Sequence, residues 1–551
     1  MDESESLIVD DSASRSNGLS KRQKILIGCG VGLVVVVAAI VGIAVGVSKN
    51  NSSTSTSSNK NHPNVIFMIG DGLGPQMTSL ARIYAKYVRE GDFNASDLSS
   101  ESDIDEYLAY HNDPLLGVSD HGCEIALTTT YSASSVVTDS AASATALSSG
   151  TKTTNGFVGL DPQEVPVGNI IEAASHRGYT GGIVCTSRIT HATPAGFTAH
   201  VTDRNNEELI AVQQATLQKH VSVYIGGGSN YFDKDHRSDS RDLLAEAREN
   251  GFTVATSMAE LRAAEQNASV AKLLGPIYPD QFPYELERDP AVLPSLDQNV
   301  ETAWNILKRN KKPFFMMVEG SLIDFCGHNN DAPAGVKETL AFFKAVDKAL
   351  ELAKKDTNTL VFIVADHDTG GMSISGGDHE NHFIDFEALR RSTLSVPTMI
   401  ERIVEKRRTT SDDKEMYEFI RNLLIEAQGF DQDYDKPEFI NPIVEVSDDS
   451  SALLIPLTSA VADNSGITYG TTYHTATNVL FYSCLKHWKG KPSKRVHLNL
   501  DTAEIPEWIG RELKFDFVKA AEESREIYTV VKSSRDADEK IVCSDKVHCR
   551  V

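Results

Sequence analysis

Val65-Ile66-Phe67-Met68-Ile69-Gly70-Asp71, Phe314-Phe315-Met316-Met317-Val318-Glu319 and Leu360-Val361-Phe362-Ile363-Val364-Ala365-Asp366-His367 follow one pattern, a short apolar run that ends on a side chain able to hold a cation. Runs of this length, rich in β-branched and aromatic residues and lacking polar alternation, predict strands buried on both faces, as in a parallel sheet. Ligands of such α/β sheets bind beyond the carboxyl ends of the strands, so Asp71, Glu319 and Asp366 can converge although hundreds of residues separate them. Left unpaired, these carboxylates repel. A divalent cation is the simplest compensation, since buried charge must be paired or coordinated. Each Asp taken singly could instead be the N-cap of a following helix.

At 551 residues, 40% hydrophobic and 24% charged, the chain has the composition of a globular protein with a large core. Its formal net charge of −24 excludes a nucleic-acid-binding role, which needs clustered Lys and Arg, and means that an anionic substrate must be held by local cations. Ile25 to Val47 is an uncharged stretch of 23 residues. About 20 apolar residues span a bilayer, so a transmembrane helix is predicted at 25–47. Lys21, Arg22 and Lys24 precede it and place the tail 1–24 in the cytosol by the positive-inside rule. The Ser/Thr/Asn-rich stretch 48–62 reads as a flexible stalk. A catalytic domain over 63–510 follows, with helices at Val336–Lys354 and Lys414–Glu426, a possible peripheral subdomain near 375–470 and an extension at 511–551. Sequons at Asn50, Asn51, Asn94 and Asn267 suit a glycoprotein. Of seven cysteines, Cys29 lies in the predicted span; Cys543 with Cys549, and Cys123 with Cys185, are plausible disulfides.

The nucleophile candidate is Ser140, in Val137-Thr138-Asp139-Ser140-Ala141-Ala142-Ser143-Ala144. The Ala-rich segment favours helix, Asp139 or Ser140 stands at its first turn, and free N–H groups there attract a phosphate. No Gly-x-Ser-x-Gly elbow competes.

With Asp71-Gly72, Asp139-Ser140-Ala141 and Asp366-His367 in this order, the chain resembles the alkaline phosphatase family over most of 63–480, and its tail and span resemble the fungal vacuolar, membrane-anchored branch. The resemblance implies a central, mostly parallel sheet flanked by helices, preceded by one transmembrane helix. It also implies a homodimer and two Zn2+ and one Mg2+ per subunit. In Glu319-Gly320-Ser321-Leu322-Ile323-Asp324 and His328, it gives Glu319 to magnesium and Asp324 with His328 to the first zinc, which His474 of Tyr473-His474-Thr475 completes. Asp366 and His367 take the second zinc, Asp71 bridges it to magnesium, Thr193 is a further magnesium ligand, and Arg204 clamps phosphate. Carboxylate and imidazole suit zinc, and an all-oxygen set suits magnesium. Two departures stand out: His191 where bacterial members often carry Asp, and Phe325 where Lys or His is usual.

The implied reaction is hydrolysis of phosphate monoesters, on small molecules or phosphopeptides, through a phosphoserine on Ser140. The alternatives are a phosphodiesterase or sulfatase of the same superfold and an inactive phosphatase-like membrane receptor. A sulfatase needs a Cys-x-Pro-x-Arg nucleophile, a diesterase usually a Thr, and a dead receptor would tolerate lost ligands. In the tail, Glu3-Ser4-Glu5-Ser6-Leu7-Ile8 fits an acidic dileucine signal for a sorting adaptor. The expected address is the vacuole membrane, with the catalytic domain lumenal.

Overall fold

A computed structural model describes residues 62–90, 122–374, 384–431, 434–493 and 498–527. The expected tail and span, nearly all of the stalk, the dileucine residues Glu3, Leu7 and Ile8, Asn50, Asn51, Asn94, Cys29, Cys543 and Cys549 lie outside them. Among the described residues no helix is long and apolar enough to cross a membrane.

In chain order the strands are β1 (Asn64–Gly70), β2 (Cys123–Thr129), β3 (Thr180–Arg188), β4 (Val221–Gly227), β5 (Thr253–Val254), β6 (Leu273–Pro276), β7 (Phe314–Gly320), β8 (Thr359–Ala365), β9 (Asp368–Thr369), β10 (Met372–Ser373), β11 (Thr468–Tyr469), β12 (His474–Thr475), β13 (Val479–Cys484) and β14 (Asn499–Asp501). Ten of them form one sheet in the order β14-β2-β13-β8-β1-β7-β3-β4-β6-β5, parallel except for β13, which runs antiparallel to both β8 and β2. All residues of β1, β7 and β8 are buried. Both faces are covered. Ile66 and Met68 of β1 meet the helices Pro75–Glu90, Leu296–Arg309 and Ala332–Asp356, whereas Val65, Phe67 and Ile69 face the helices Ile170–Ser175 and Glu504–Leu513. This two-sided burial is why the runs lack alternation.

Between β10 and β11, which pair antiparallel, five helices from Phe386 to Ser465 enclose an apolar cluster of their own that includes Met399, Ile420, Leu424 and Phe430. Asp331 fastens them to the sheet domain. One carboxylate oxygen caps Ala332–Asp356 at Ala334 N (3.0 Å) and the other accepts from Val396 N (2.6 Å) at the start of Val396–Arg407. Residues 515–527 pack on the main core through Phe515, Ala520 and Ser524.

The disulfide corrects one expectation. Cys123 bonds Cys484, its register partner across β2 and β13, and not Cys185, which is a buried thiol in β3. Strands β13, β8, β1 and β7 separate β2 from β3, so the expected pair is out of reach. The expected use of Asn267 as a glycan acceptor falls on an exposed turn in which its side chain accepts from Ser269 N (3.0 Å).

Glu338, on the helix Ala332–Asp356, is buried, with Glu285 N donating to it, and burial raises its carboxyl from 4.5 to about 8. A carboxyl held neutral in the fold contributes stability below its unfolded value that is lost as pH rises through the folded one. Glu338→Gln keeps the acceptor and removes the ionisation. Thermal unfolding of the variant is therefore expected to match wild type near pH 5 and to exceed it at pH 9 by on the order of 4 kcal/mol. Equal melting curves at both values would show that Glu338 ionises freely in the native protein.

Candidate active site

Register brings the ligand candidates together. Strand β1 lies between β7 and β8, with Ile69 opposite both Glu319 and Val364 and Gly70 opposite Ala365, so Asp71, Glu319 and Asp366 emerge side by side. At Gly72, φ is +72°, and a Cβ there would sit 2.6 Å from the Asp324 Cα. Glycine thus permits both the left-handed turn after β1 and the close approach of the helix Leu322–His328. Gly72 N also donates to Asp366 (3.0 Å).

Ser140 opens the buried helix Ser140–Ser149, and Asp139 is its N-cap, accepting from Ala142 N (2.9 Å). The second oxygen of Asp139 accepts from Gly156 N (3.0 Å) and from Arg204 Nη1 (3.0 Å). The Arg204 fork thereby stands beside the first turn, and its Nη2 is 3.3 Å from His191 Nε2. Ser140 Oγ is 3.2 Å from His367 Nε2.

Three overlapping donor groups surround this serine: Asp324, His367 and His474; Asp71, Asp366 and His367; and Asp71, His191 and Glu319. His328 joins the first, its Nε2 3.1 Å from His474 Nε2 and 3.3 Å from Asp324. Carbonyl oxygens fix the ring faces, since His328 Nδ1 meets Thr472 O at 2.7 Å and His474 Nδ1 meets Thr138 O at 2.8 Å. With Nδ1 turned to a carbonyl, Nε2 of each ring faces inward toward Asp324, the atom that a metal would take in place of a proton. Thr193 Oγ1 lies 3.4 Å from Asp71, at the third group.

The electrostatics ask for cations. Burial, then repulsion from Asp366, Asp324 and Glu319, pushes the Asp71 carboxyl well above its ordinary value, and burial raises Glu319 to about 7. Burial also disfavours ionised Asp324, yet hydrogen bonds from His328 and His474 hold it well below the usual carboxylate range. His191 is kept neutral by burial and then by the Arg204 charge. Asp71 Oδ1, Glu319 Oε1 and His191 Nδ1 are buried without a hydrogen-bond partner. Such atoms carry a desolvation penalty that a bound cation removes. The donor set fits bound divalent cations.

All ten predicted site residues meet in this one region, within the contacts just given or in the strands that frame them. Sequence reasoning missed their supports. Ser143, one helical turn after Ser140, donates to Asp366 (3.2 Å); Ser187 donates to Glu319 (3.3 Å); and Asp139, read only as a cap, orients Arg204. The i,i+3 spacing of Ser140 and Ser143 was the legible signal for the first. His191, noted only as a departure, enters the third donor group, and Phe325 packs against it with ring centroids 5.6 Å apart.

A serine at a helix start, ringed by buried imidazoles and carboxylates beyond the ends of parallel strands, defines a metal-binding hydrolase. The family model for alkaline phosphatase matches residues 62–416. The repressible alkaline phosphatase of Saccharomyces cerevisiae is 31% identical over 76% of this chain and 75% of its own. Among solved structures, the cold-active alkaline phosphatase of a psychrophilic Shewanella superposes with a TM-score of 0.64 at 26% identity, over 82% of this chain and 99% of that one. A TAB5 alkaline phosphatase mutant with Mg bound in the M3 site gives 0.55 at 26% identity, over 83% and 99%. The chain belongs to the alkaline phosphatase family, and it is a phosphatase with the family's α/β fold.

Proposed function

We propose that this chain hydrolyses phosphate monoesters through a phosphoserine on Ser140. The observation that carries the reading is the placement of Ser140 Oγ at a helix start, 3.2 Å from His367 Nε2, with Arg204 held beside it by Asp139. In this reading Asp324, His328 and His474 hold one zinc, and Asp366, His367 and Asp71 a second. Asp71, Thr193 and Glu319 hold magnesium, in keeping with the Mg bound in the TAB5 structure. When bound, these cations supply the positive charge that lowers the pKa of the serine hydroxyl and balances charge on the phosphoryl oxygens.

Ser140 Oγ gives up its proton to water and attacks phosphorus in line; the P–O bond to the alcohol breaks, and the departing oxygen takes a proton from water. Water then cleaves the Ser140 Oγ–P bond and releases inorganic phosphate. The Arg204 fork matches two phosphoryl oxygens bidentately, and Asp139 holds the fork in register. Backbone N–H groups of the first turn add to the attraction. The substrates of this proposal are small-molecule monoesters or phosphopeptides. A single span at 25–47, a lumenal vacuolar address read from Glu3, Leu7 and Ile8, and a homodimer complete the proposal; the composition of the segment and the likeness to the fungal branch support it.

The purified protein is expected to cleave a chromogenic phosphomonoester at least about 100-fold faster than the matching diester. EDTA should abolish the activity, and zinc with magnesium should restore it. Preference for the diester, or full activity in excess chelator, would overturn the proposal.

A further inference from the structure

At the opposite end of the sheet from Ser140, three side chains from distant parts of the chain face one another. His176 ends the helix Ile170–Ser175, His220 directly precedes β4, and Glu523 belongs to the last described helix. Both histidines lie at the amino ends of their strands: β3 begins four residues after His176, and Gly181 N donates to His220 O (2.7 Å). The Nε2 atoms of His176 and His220 lie 3.7 Å and 3.6 Å from the same Oε2 of Glu523. Neither distance is a hydrogen bond. His176 Nε2 is buried and has no hydrogen-bond partner, and the two side chains are only 11% and 19% exposed.

Two imidazole nitrogens near one carboxylate oxygen, both beyond hydrogen-bond reach of it, are set wider than partners in direct contact. Zinc arms of about 2.0–2.1 Å in a tetrahedron put neighbouring ligand atoms roughly 3.3 Å apart, and the ring centroids of two bound imidazoles roughly 5–6 Å apart. Here the ring centroids are 6.4 Å apart. The arrangement is slightly open. Closing it takes a turn of the two rings toward each other, and Glu523, 41% exposed on its helix, has the freedom to follow.

We propose that His176, His220 and Glu523 form a further divalent-cation site, selective for zinc-like ions, that is structural and separate from the Ser140 centre. Two neutral imidazoles and one carboxylate are a zinc-type donor set and a poor one for magnesium or calcium. Its consequence is mechanical. The adjacent Ser524 Oγ donates to Glu172 (2.9 Å), which also faces His200 Nε2 (3.1 Å), so a cation at Glu523 would add a second fastening of the last helix to the sheet domain.

The test is zinc stoichiometry of the full-length protein, measured by atomic emission after equilibration at fixed free Zn2+, beside monoester turnover. His220→Ala and Glu523→Gln should each lose one zinc equivalent relative to wild type and keep wild-type turnover. Zinc-dependent gain in melting temperature should shrink in both. Equal zinc content in wild type and variants would overturn the proposal. So would loss of zinc in step with loss of turnover, because the missing ion would then belong to the Ser140 centre. Neither result depends on whether Ser140 forms a phosphoenzyme.

Discussion

Ser140→Ala is expected to lower turnover by at least about 10³-fold and to abolish acid-stable labelling by radioactive phosphate, while the protein keeps its metals. Loss of a nucleophile typically costs that much or more, because the remaining groups cannot supply the missing bond. Metal retention follows from the donor groups, none of which requires the Ser140 hydroxyl. Emission spectroscopy and labelling at acidic pH on the same preparation separate the two effects. Labelling that survives in the variant would remove Ser140 from its role, and loss of metal would make the serine a ligand first.

Asp71→Asn should have the second large effect, with opposite signs in the loaded and stripped protein. Asp71 is completely buried, belongs to two of the three donor groups, and leaves Oδ1 without a partner. Its replacement should therefore lower the occupancy of two metals together and reduce turnover by at least about 10²-fold, the scale on which losing an electrostatic contact at the reacting centre is felt. In chelator the same substitution removes one of four mutually repelling carboxylates and should raise the melting temperature above that of stripped wild type. Loss of a single metal would confine Asp71 to one group. A lower melting temperature in chelator would mean that the apo site is not under charge strain.

The sheet and the ends of its strands were legible because the signal is local. A strand buried on both faces must be apolar throughout, so Val65–Gly70, Phe314–Val318 and Leu360–Ala365 announce themselves, and so does the acid that follows each. The donor residues His328, His474, Thr193 and Arg204 carry no such local mark; they were reached through resemblance, and the fold gathers them. What resisted reading depends on which strands are neighbours. Cys123 finds Cys484 because β13 inserts antiparallel between β8 and β2, an arrangement that spacing does not encode. Asp139 gave the stronger signal of a helix cap and so hid its second oxygen, which holds Arg204. His191 looked like a mere replacement until burial stripped its Nδ1 of partners.

The bond between Cys123 and Cys484 spans a sequence separation of 361 residues and so ties most of the catalytic domain into a covalent ring. The five helices between Phe386 and Ser465 lie inside that ring. A protease that cuts one peptide bond among them therefore releases nothing: the two pieces stay joined at the β2–β13 seam and share one sheet. Under limited proteolysis the enzyme can be nicked once and remain a single molecule, and only a reductant would reveal that it had been cut.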